Sequence, residues 1–494
     1  MSSPHQTLPD WLRRRAATMP ERIALLAGDT NWTFAELDQQ VERLARQLIA
    51  LGIQPGDRVA VLLQNSPKFV TMVHAMPRCG AVLVPLNTRL TPHELVWQLN
   101  DASPRLVLYD QSNAGLADQV HQLQPDFFFY HTDTLDDLEA SDQVLNHTIA
   151  LNELHTIIYT SGTTGKPKGA MLTYGNHWWS ATASMLNLGL HNDDRWLAVL
   201  PLFHVGGLSI LLRSVIYGIP VVLHESFDAA LVNRSLEEHQ VTIISVVSTM
   251  LQRMLDQQLQ ATKLRCVLLG GGPAPRPLLE SCNERGIPVA QTYGMTETAS
   301  QVATLAPHDA LRKLGSAGQP LLPLEVQIDI EGESAAAGQV GEILVRGPMV
   351  TAGYFNRPEA TAEALRDGWL HTGDLGYLDS EEYLYVVDRR DDIIISGGEN
   401  VYPAEVEEVL LAVPAVAEAG VIGIPDEQWG QVPVACVVLH PGAELDETAI
   451  IAFCRERLAR YKTPHAIHMV ASLPRTAAGK LRRGVLRIQM LDNK

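Results

Sequence analysis

The run Tyr159-Thr160-Ser161-Gly162-Thr163-Thr164-Gly165-Lys166-Pro167-Lys168-Gly169 decides how the chain is read. It follows the β-branched stretch Thr156-Ile157-Ile158, which reads as a strand, and precedes Tyr174 to Met185, which reads as a helix. Its glycines let the backbone approach a ligand closely. Its hydroxyls and N–H groups donate, and Lys166 and Lys168 add positive charge. Such chemistry holds a polyphosphate. A proline follows Lys166 where a Walker-type loop has Ser or Thr, so this loop is of another class.

Outward from that loop, strand and helix signals alternate. Thr33 to Glu36 is a capping box leading into Leu37, Val41, Leu44 and Leu48 at helical spacing, with a stop at Gly52. Arg58 to Leu63 reads as a strand, Ser66-Pro67 opens a helix, and Ala81 to Val84 is a strand again. Thr91-Pro92-His93-Glu94 is a second capping box, followed by a strand from Arg105 to Tyr109. Beyond the loop, Trp196 to Leu200, Val221 to His224, Val241 to Val247, Leu264 to Leu269 and Pro288 to Thr292 read as strands between helices, one of them Leu208 to Tyr217. This alternation predicts mostly parallel sheets covered by helices.

From about residue 315 the texture becomes strands and turns, which predicts a β-rich subdomain over about 315–390. Near Arg390 a third texture begins, with a helix opened by Tyr402-Pro403, a strand from Val432 to Leu439 and a helix from Glu447 to Ala459. The expected organisation is α/β: a large N-terminal domain, 1–390, and a small α+β C-terminal domain, 391–494, on a hinge at Asp391. At 494 residues more than one domain is expected.

A net charge of −18 argues against nucleic acid or an anionic membrane as partner. Against that balance, Arg455 to Arg487 is strongly basic, which fits either a solvated face or a docking end for polyanions. No basic-plus-apolar leader and no apolar run of membrane-spanning length is read, so a cytoplasmic protein without integral membrane contact is expected. The five scattered cysteines lack metal-ligand spacing and read as buried thiols of a reducing compartment. Nothing in the sequence speaks for or against a homo-oligomer.

Further chemistry lies at the ends of strands, where open α/β sheets bind ligands. Gln291 to Thr298 offers Tyr293 to stack on a base, Thr296 to donate to phosphate and Glu297 to hold magnesium, although a loop glutamate is also ordinary surface. Gly270-Gly271-Gly272-Pro273 allows close backbone approach, or is simply a tight turn. Trp369 to Asp374 places an acid after a tight turn, suited to ribose hydroxyls; Asp388 to Asp392 supplies an arginine for the same ribose or is an exposed charged turn.

These motifs, in this order, closely resemble the adenylate-forming superfamily of acyl-CoA synthetases, peptide-synthetase adenylation domains and luciferases. The resemblance runs from Trp32-Thr33-Phe34 to Pro474-Arg475-Thr476-Ala477-Ala478-Gly479-Lys480. It implies ATP, Mg2+ and coenzyme A as cosubstrates, and a two-step reaction through an acyl-adenylate with release of pyrophosphate and AMP. By the same resemblance, Thr160, Ser161, Gly162, Thr163, Thr164, Gly165, Lys166 and Lys168 hold the terminal phosphates. Gly271, Gly272 and Tyr293 sandwich adenine, Thr296 serves phosphate, Glu297 serves magnesium, and Asp374 and Arg389 serve ribose. Lys480 bridges the substrate carboxylate and α-phosphate, while Gly397 and Gly398 border a pantetheine channel. His204 stands beside the acyl carbonyl or is a buried structural histidine.

Leu202 to Ser209, Ile243 to Ser248, Leu268 to Pro275 and Gln291 to Gln301 resemble most the members that act on 2-succinylbenzoate in menaquinone biosynthesis. Such an acid carries a second carboxylate, for which His204, Ser209, Ser245, Ser248 and Ser300 are the polar candidates. Other readings are a ligase of another aryl or fatty acid, an adenylation enzyme loading a separate carrier protein, or a non-catalytic nucleotide sensor.

Overall fold

The computed structural model describes residues 6–160, 167–260, 263–272, 274, 276–389, 393–440, 442–443, 446–474 and 481–492. The alternating apolar runs assemble into two large sheets. In the first, strands Val82–Pro85, Arg58–Leu62, Leu106–Tyr109 and Phe129–His131 lie parallel with Leu154–Thr160. In the second, Val289–Tyr293, Cys266–Leu269, Ile243–Val246, Trp196–Ala198, Val221–Leu223 and Ile23–Ala27 form a parallel centre edged by antiparallel strands.

Period-two alternation divides each strand between two cores. Val59 and Val61 join Trp196 and Ala198 in the layer shared by both sheets, with helices Phe34–Ala50, Pro67–Cys79 and Val205–Tyr217. Ala60 and Leu62 face one outer layer, and Leu197 and Val199 the other. The capping signals form as expected: Thr33 with Glu36, Thr91 with Glu94, and Ser66 accepting from the Phe69 N–H.

Three elements differ from the sequence expectation. The phosphate-loop stretch does not run directly into a helix, because Lys168–Thr173 forms a strand antiparallel to Leu154–Thr160 before helix Tyr174–Leu188 begins. Asp374 lies not after a turn but inside the ten-residue strand Trp369–Leu378, where Gly373, at φ +74°, sits in a register shift against Gly341–Arg346. Ser396 to Asn400 is not a loop but the turn of a hairpin between Ile394–Ser396 and Glu399–Val401.

The antiparallel third sheet includes Glu325–Ile330, Gly341–Arg346, Trp369–Leu378 and Leu384–Arg389. A fourth joins the hairpin to Gly430–Leu439, Val416–Asp426 and Ala466–Met469. The fold is thus mixed α/β, a large N-terminal body with a small C-terminal domain. Among the described residues, no helix is long and apolar enough to cross a membrane. All five cysteines are free and buried.

A trio of histidines lies in the shared core. His155 stacks on Tyr174 at 4.5 Å between ring centroids and meets His177 edge-on at 5.1 Å. Burial holds His74 and His155 down to about 3, against an ordinary 6.5. Both rings are therefore neutral when folded and take up protons on unfolding below about pH 6.5. Stability is expected to fall as pH drops from about 6.5 towards about 3, by ~1.4 kcal/mol per pH unit for each ring. Denaturant unfolding at a series of pH values checks this. His155→Phe, which keeps a ring against Tyr174, should flatten the decline by one ring's share.

Candidate active site

The carboxyl ends of the parallel strands open on one cleft of ≈ 610 Å³. Thr160 ends one strand, His204 and Gly271 follow two others, and Thr296 and Glu297 follow Val289–Tyr293. All five line the cleft, together with Lys168, Asp374, Gly397 and Gly398. Ser161 to Lys166 and Lys480 lie outside the described residues, as does the hinge position Asp391. Arg389 stands opposite Asp374 in the strand ladder. Gly272 lies against the C-terminal domain, where an added Cβ would come within 3.0 Å of Ile395.

Tyr293 is placed behind the cleft wall, its ring packed in the apolar cluster with Val302, Leu321 and Met349. Its hydroxyl donates to Asp374 Oδ2 at 2.6 Å. The bulge that presents Asp374 is itself bonded in place: Gly373 N–H donates to Glu342 Oε1 at 3.1 Å, and Asp374 N–H to Thr372 Oγ1 at 3.0 Å.

Glu297 sits in the single turn Thr296–Thr298. Burial pushes its carboxyl up and Asp374 adds to the push; a hydrogen bond from the Tyr354 hydroxyl at 2.9 Å and the charge of Lys168 oppose it. A buried carboxylate on the cleft suits a magnesium ion that arrives with a nucleotide. Among the described residues, no group of three or more His, Cys, Asp and Glu could hold a resident metal.

The other wall belongs to the hairpin. Gly397 and Gly398 have φ of +59° and +87°, and a Cβ on Gly398 would meet Val247 at 3.2 Å, so only glycines let the turn come this close. The next residue, Glu399, is buried. Burial drives its carboxyl up, but His204, Arg89 and Lys462 outweigh this and hold it below the usual range. His204 Nε2 lies 2.9 Å from Glu399 Oε2, and Arg89 pairs with the other oxygen. His204 is thus not a buried structural histidine: it precedes helix Val205–Tyr217 and reaches across to Glu399 of the C-terminal domain. Lys462 bridges Glu94 and Glu405 at 2.7 Å each. Burial would neutralise this ammonium; Tyr461, Glu405 and Glu94 keep it charged.

Of the hydroxyls expected near the acyl group, Ser245 and Ser300 line the cleft. Ser209 and Ser248 do not. Helix Val205–Tyr217 turns Ser209 inward, where its hydroxyl donates to Gly206 O at 3.1 Å. That helix brings Arg213 to the cleft instead, a residue the motif reading passed over. Its side chain is 2% exposed, lies over Trp196 at 5.6 Å and donates to Ser180 Oγ at 3.2 Å. Its Nε has no partner, and among the described residues it makes no ion pair. A lone cation inside the apolar run Leu208 to Tyr217 was the available signal. Tyr354 and Arg89 were also missed, since neither stands in a phosphate or ribose motif.

The chain was compared with known proteins. A family model described as AMP-binding enzyme matches residues 12–355, and its C-terminal domain model matches 405–480. A 2-succinylbenzoate–CoA ligase of Geobacillus kaustophilus is 54% identical over 484 residues, covering 97% of this chain and 98% of the relative. One from Bacillus cereus is 50% identical, covering 98% of each. Among solved structures, o-succinylbenzoate CoA synthetase from Bacillus subtilis, a double mutant bound with the product analogue OSB-NCoA, matches with a TM-score of 0.94 at 48% identity, covering 97% of this chain and 98% of that one. The enzyme from the same organism in complex with ATP and magnesium matches with 0.77 at 48% identity, covering 97% and 99%.

Lys462→Met would take from Glu94 and Glu405 the buried cation they share. Breaking a buried pair in this way is expected to cost about 3–5 kcal/mol. Glu94→Gln should cost less, since Lys462 keeps Glu405. Denaturant unfolding of the two variants, with limited proteolysis of the C-terminal domain, measures the difference.

Proposed function

The chain belongs to the AMP-binding enzymes, in the branch of the 2-succinylbenzoate–CoA ligases, and from that premise we propose how its cleft does the chemistry. It is an ATP-dependent acid–thiol ligase. The succinyl carboxylate of 2-succinylbenzoate attacks the α-phosphorus of ATP and expels pyrophosphate; the CoA thiol then attacks the acyl-adenylate carbonyl and AMP leaves. The product is 2-succinylbenzoyl-CoA, an intermediate of menaquinone biosynthesis. The nucleophile is ionised at neutral pH and needs no base, so catalysis is positioning and charge neutralisation.

Asp374 and Arg389 hold the ribose, Gly271 and Gly272 flank adenine with Tyr293 backing the wall, and Thr160 to Lys168 with Thr296 take the phosphates. Magnesium held at Glu297 supplies positive charge to the phosphates. Lys480 serves the first step from a C-terminal domain, 391–494, that turns about Asp391 against 1–390. The hairpin at Gly397 and Gly398 serves the second step, and the greater likeness to the product-analogue complex than to the ATP complex supports reading the described arrangement as the thioester-forming one. The protein works in the cytoplasm on small molecules.

Arg213 carries the choice of substrate. A guanidinium buried without a counter-charge is costly, and a second carboxylate on the ligand would supply that charge. A fatty acid would leave it unpaired; 2-succinylbenzoate, lying along Ser245 and Ser300, would not.

A coupled AMP-release assay should therefore show kcat/KM for 2-succinylbenzoate exceeding that for 4-oxo-4-phenylbutanoate, the same acid without its ring carboxylate, by ~10⁴. Arg213→Met should abolish most of that preference. The same change should raise the melting temperature of the substrate-free protein, because it removes an uncompensated charge. Equal turnover of both acids by the parent protein would refute the assignment. Lys480→Ala, in turn, should stop ATP–pyrophosphate exchange while sparing thioester formation from supplied acyl-adenylate; equal loss in both steps would refute the turning domain.

A further inference from the structure

Tyr354 stands where three segments meet. Residues 351–355 lie along strand Lys168–Thr173: Met171 N–H donates to Gly353 O at 2.9 Å, Phe355 N–H to Gly169 O at 2.8 Å, and Ala170 bridges Tyr354. At the start of the segment, Thr351 N–H donates to the carbonyl of Glu297 at 2.7 Å. Tyr354 N–H donates to Thr361 Oγ1 at 2.9 Å. One short stretch is thereby tied at once to the phosphate strand and to the backbone of the glutamate.

From this anchorage the phenol donates to Glu297 Oε1 at 2.9 Å, and Lys168 Nζ stands over the ring, 5.3 Å from its centroid. All three side chains line the cleft. A neutral donor suits the place. An arginine or lysine on Oε1 would cancel the charge that a divalent cation needs, whereas a phenol fixes the carboxylate plane and leaves its charge in being. The ring also occupies Lys168, which would otherwise be drawn to the same carboxylate.

We propose that Tyr354 is a positioning residue: by holding Oε1 of Glu297 and giving its ring face to Lys168, it aims the second carboxylate oxygen at the divalent cation that accompanies the triphosphate. This rests on the reading of Glu297 as the metal-facing carboxylate. Magnesium demands near-ideal octahedral geometry, so an acid free to rotate binds it poorly. Outer partners of metal ligands typically account for 10–100-fold in affinity.

Tyr354→Phe keeps the ring beneath Lys168 and removes only the hydroxyl. Binding of Mn2+ with ATP, followed by the free-ion electron paramagnetic resonance signal, should weaken ~10–100-fold. The Mg2+ concentration for half-maximal ATP–pyrophosphate exchange should rise to match, with the rate at saturating Mg2+ largely kept. Thioester formation from supplied acyl-adenylate involves no triphosphate and should keep its rate. Glu297→Gln in the same binding assay separates the two claims. Weakened binding in E297Q with unchanged binding in Y354F would overturn the positioning role alone; unchanged binding in both would remove Glu297 from the metal and this role with it. Equal loss in both half-reactions of Y354F, with a lower melting temperature, would mark the hydroxyl as structural and overturn the proposal too.

Discussion

A carboxylate carried to the floor of a cleft between two domains needs counter-charge before the domains can meet, and Glu399 finds it in His204, Arg89 and Lys462. Taking an ionised group out of water costs several kcal/mol unless it is paired and hydrogen-bonded. Two of the three partners, His204 and Arg89, belong to the large body, so the hairpin that carries Glu399 is at home only when seated there. The glycines before it allow the approach: both take positive φ, and a Cβ at Gly398 would press on Val247 at 3.2 Å. Apolar burial across this junction is slight beside it. Ala459 and Tyr461 join the cluster around Leu86, Leu90 and Leu95, while the other C-terminal clusters close on themselves. A contact made mainly of directional charge forms in one orientation and is lost as a unit in another. That suits the turning C-terminal domain proposed above.

Inside the cleft two buried charges are less fully answered. Among the described residues Arg213 has a hydroxyl and an aromatic face but no ion pair; Glu297 is bonded to a neutral phenol, shares the space with Asp374 and feels only Lys168 as counter-charge. Each weakens the ligand-free protein. In the function proposed above, the Arg213 cation and the Glu297 anion have complementary needs, met by a dicarboxylic acid and by a nucleotide bringing its own metal. Buried charge is thus what supports that proposal, where the glycine-rich motifs alone report only that a backbone comes close.

How far this could be read from the chain depended on range. Capping boxes at Thr33 and Thr91 span three residues and were legible, as were the apolar runs that became parallel strands. Lys168–Thr173 was hidden because its first residues carry the composition of a phosphate loop while its backbone pairs with Leu154–Thr160. Gly373 signalled a turn and serves as a kink within a strand, a distinction that only the partner strand makes. Ser209 looked available on composition, yet its short side chain bonds back to Gly206 O, while Arg213, one turn on along the same helix face, is long enough to reach the cleft. The bond from Tyr354 to Glu297 spans 57 residues and has no local periodicity to announce it.

The bridge at Lys462 indicates how such a junction can be both firm and reversible. With Glu94 and Glu405 at 2.7 Å, one cation is shared between two acids on opposite sides. Were the C-terminal domain to turn as proposed, Glu94 and Lys462 would part, but neither would be stranded. Glu94 Oε2 already accepts from the Thr91 N–H and hydroxyl as part of the helix cap, and Lys462 keeps Glu405 within its own domain. Each end thus retains a bonded partner after separation, and water can complete the rest. At this bridge, opening then costs an exchanged contact rather than an isolated buried charge, which would hold the domains together for good.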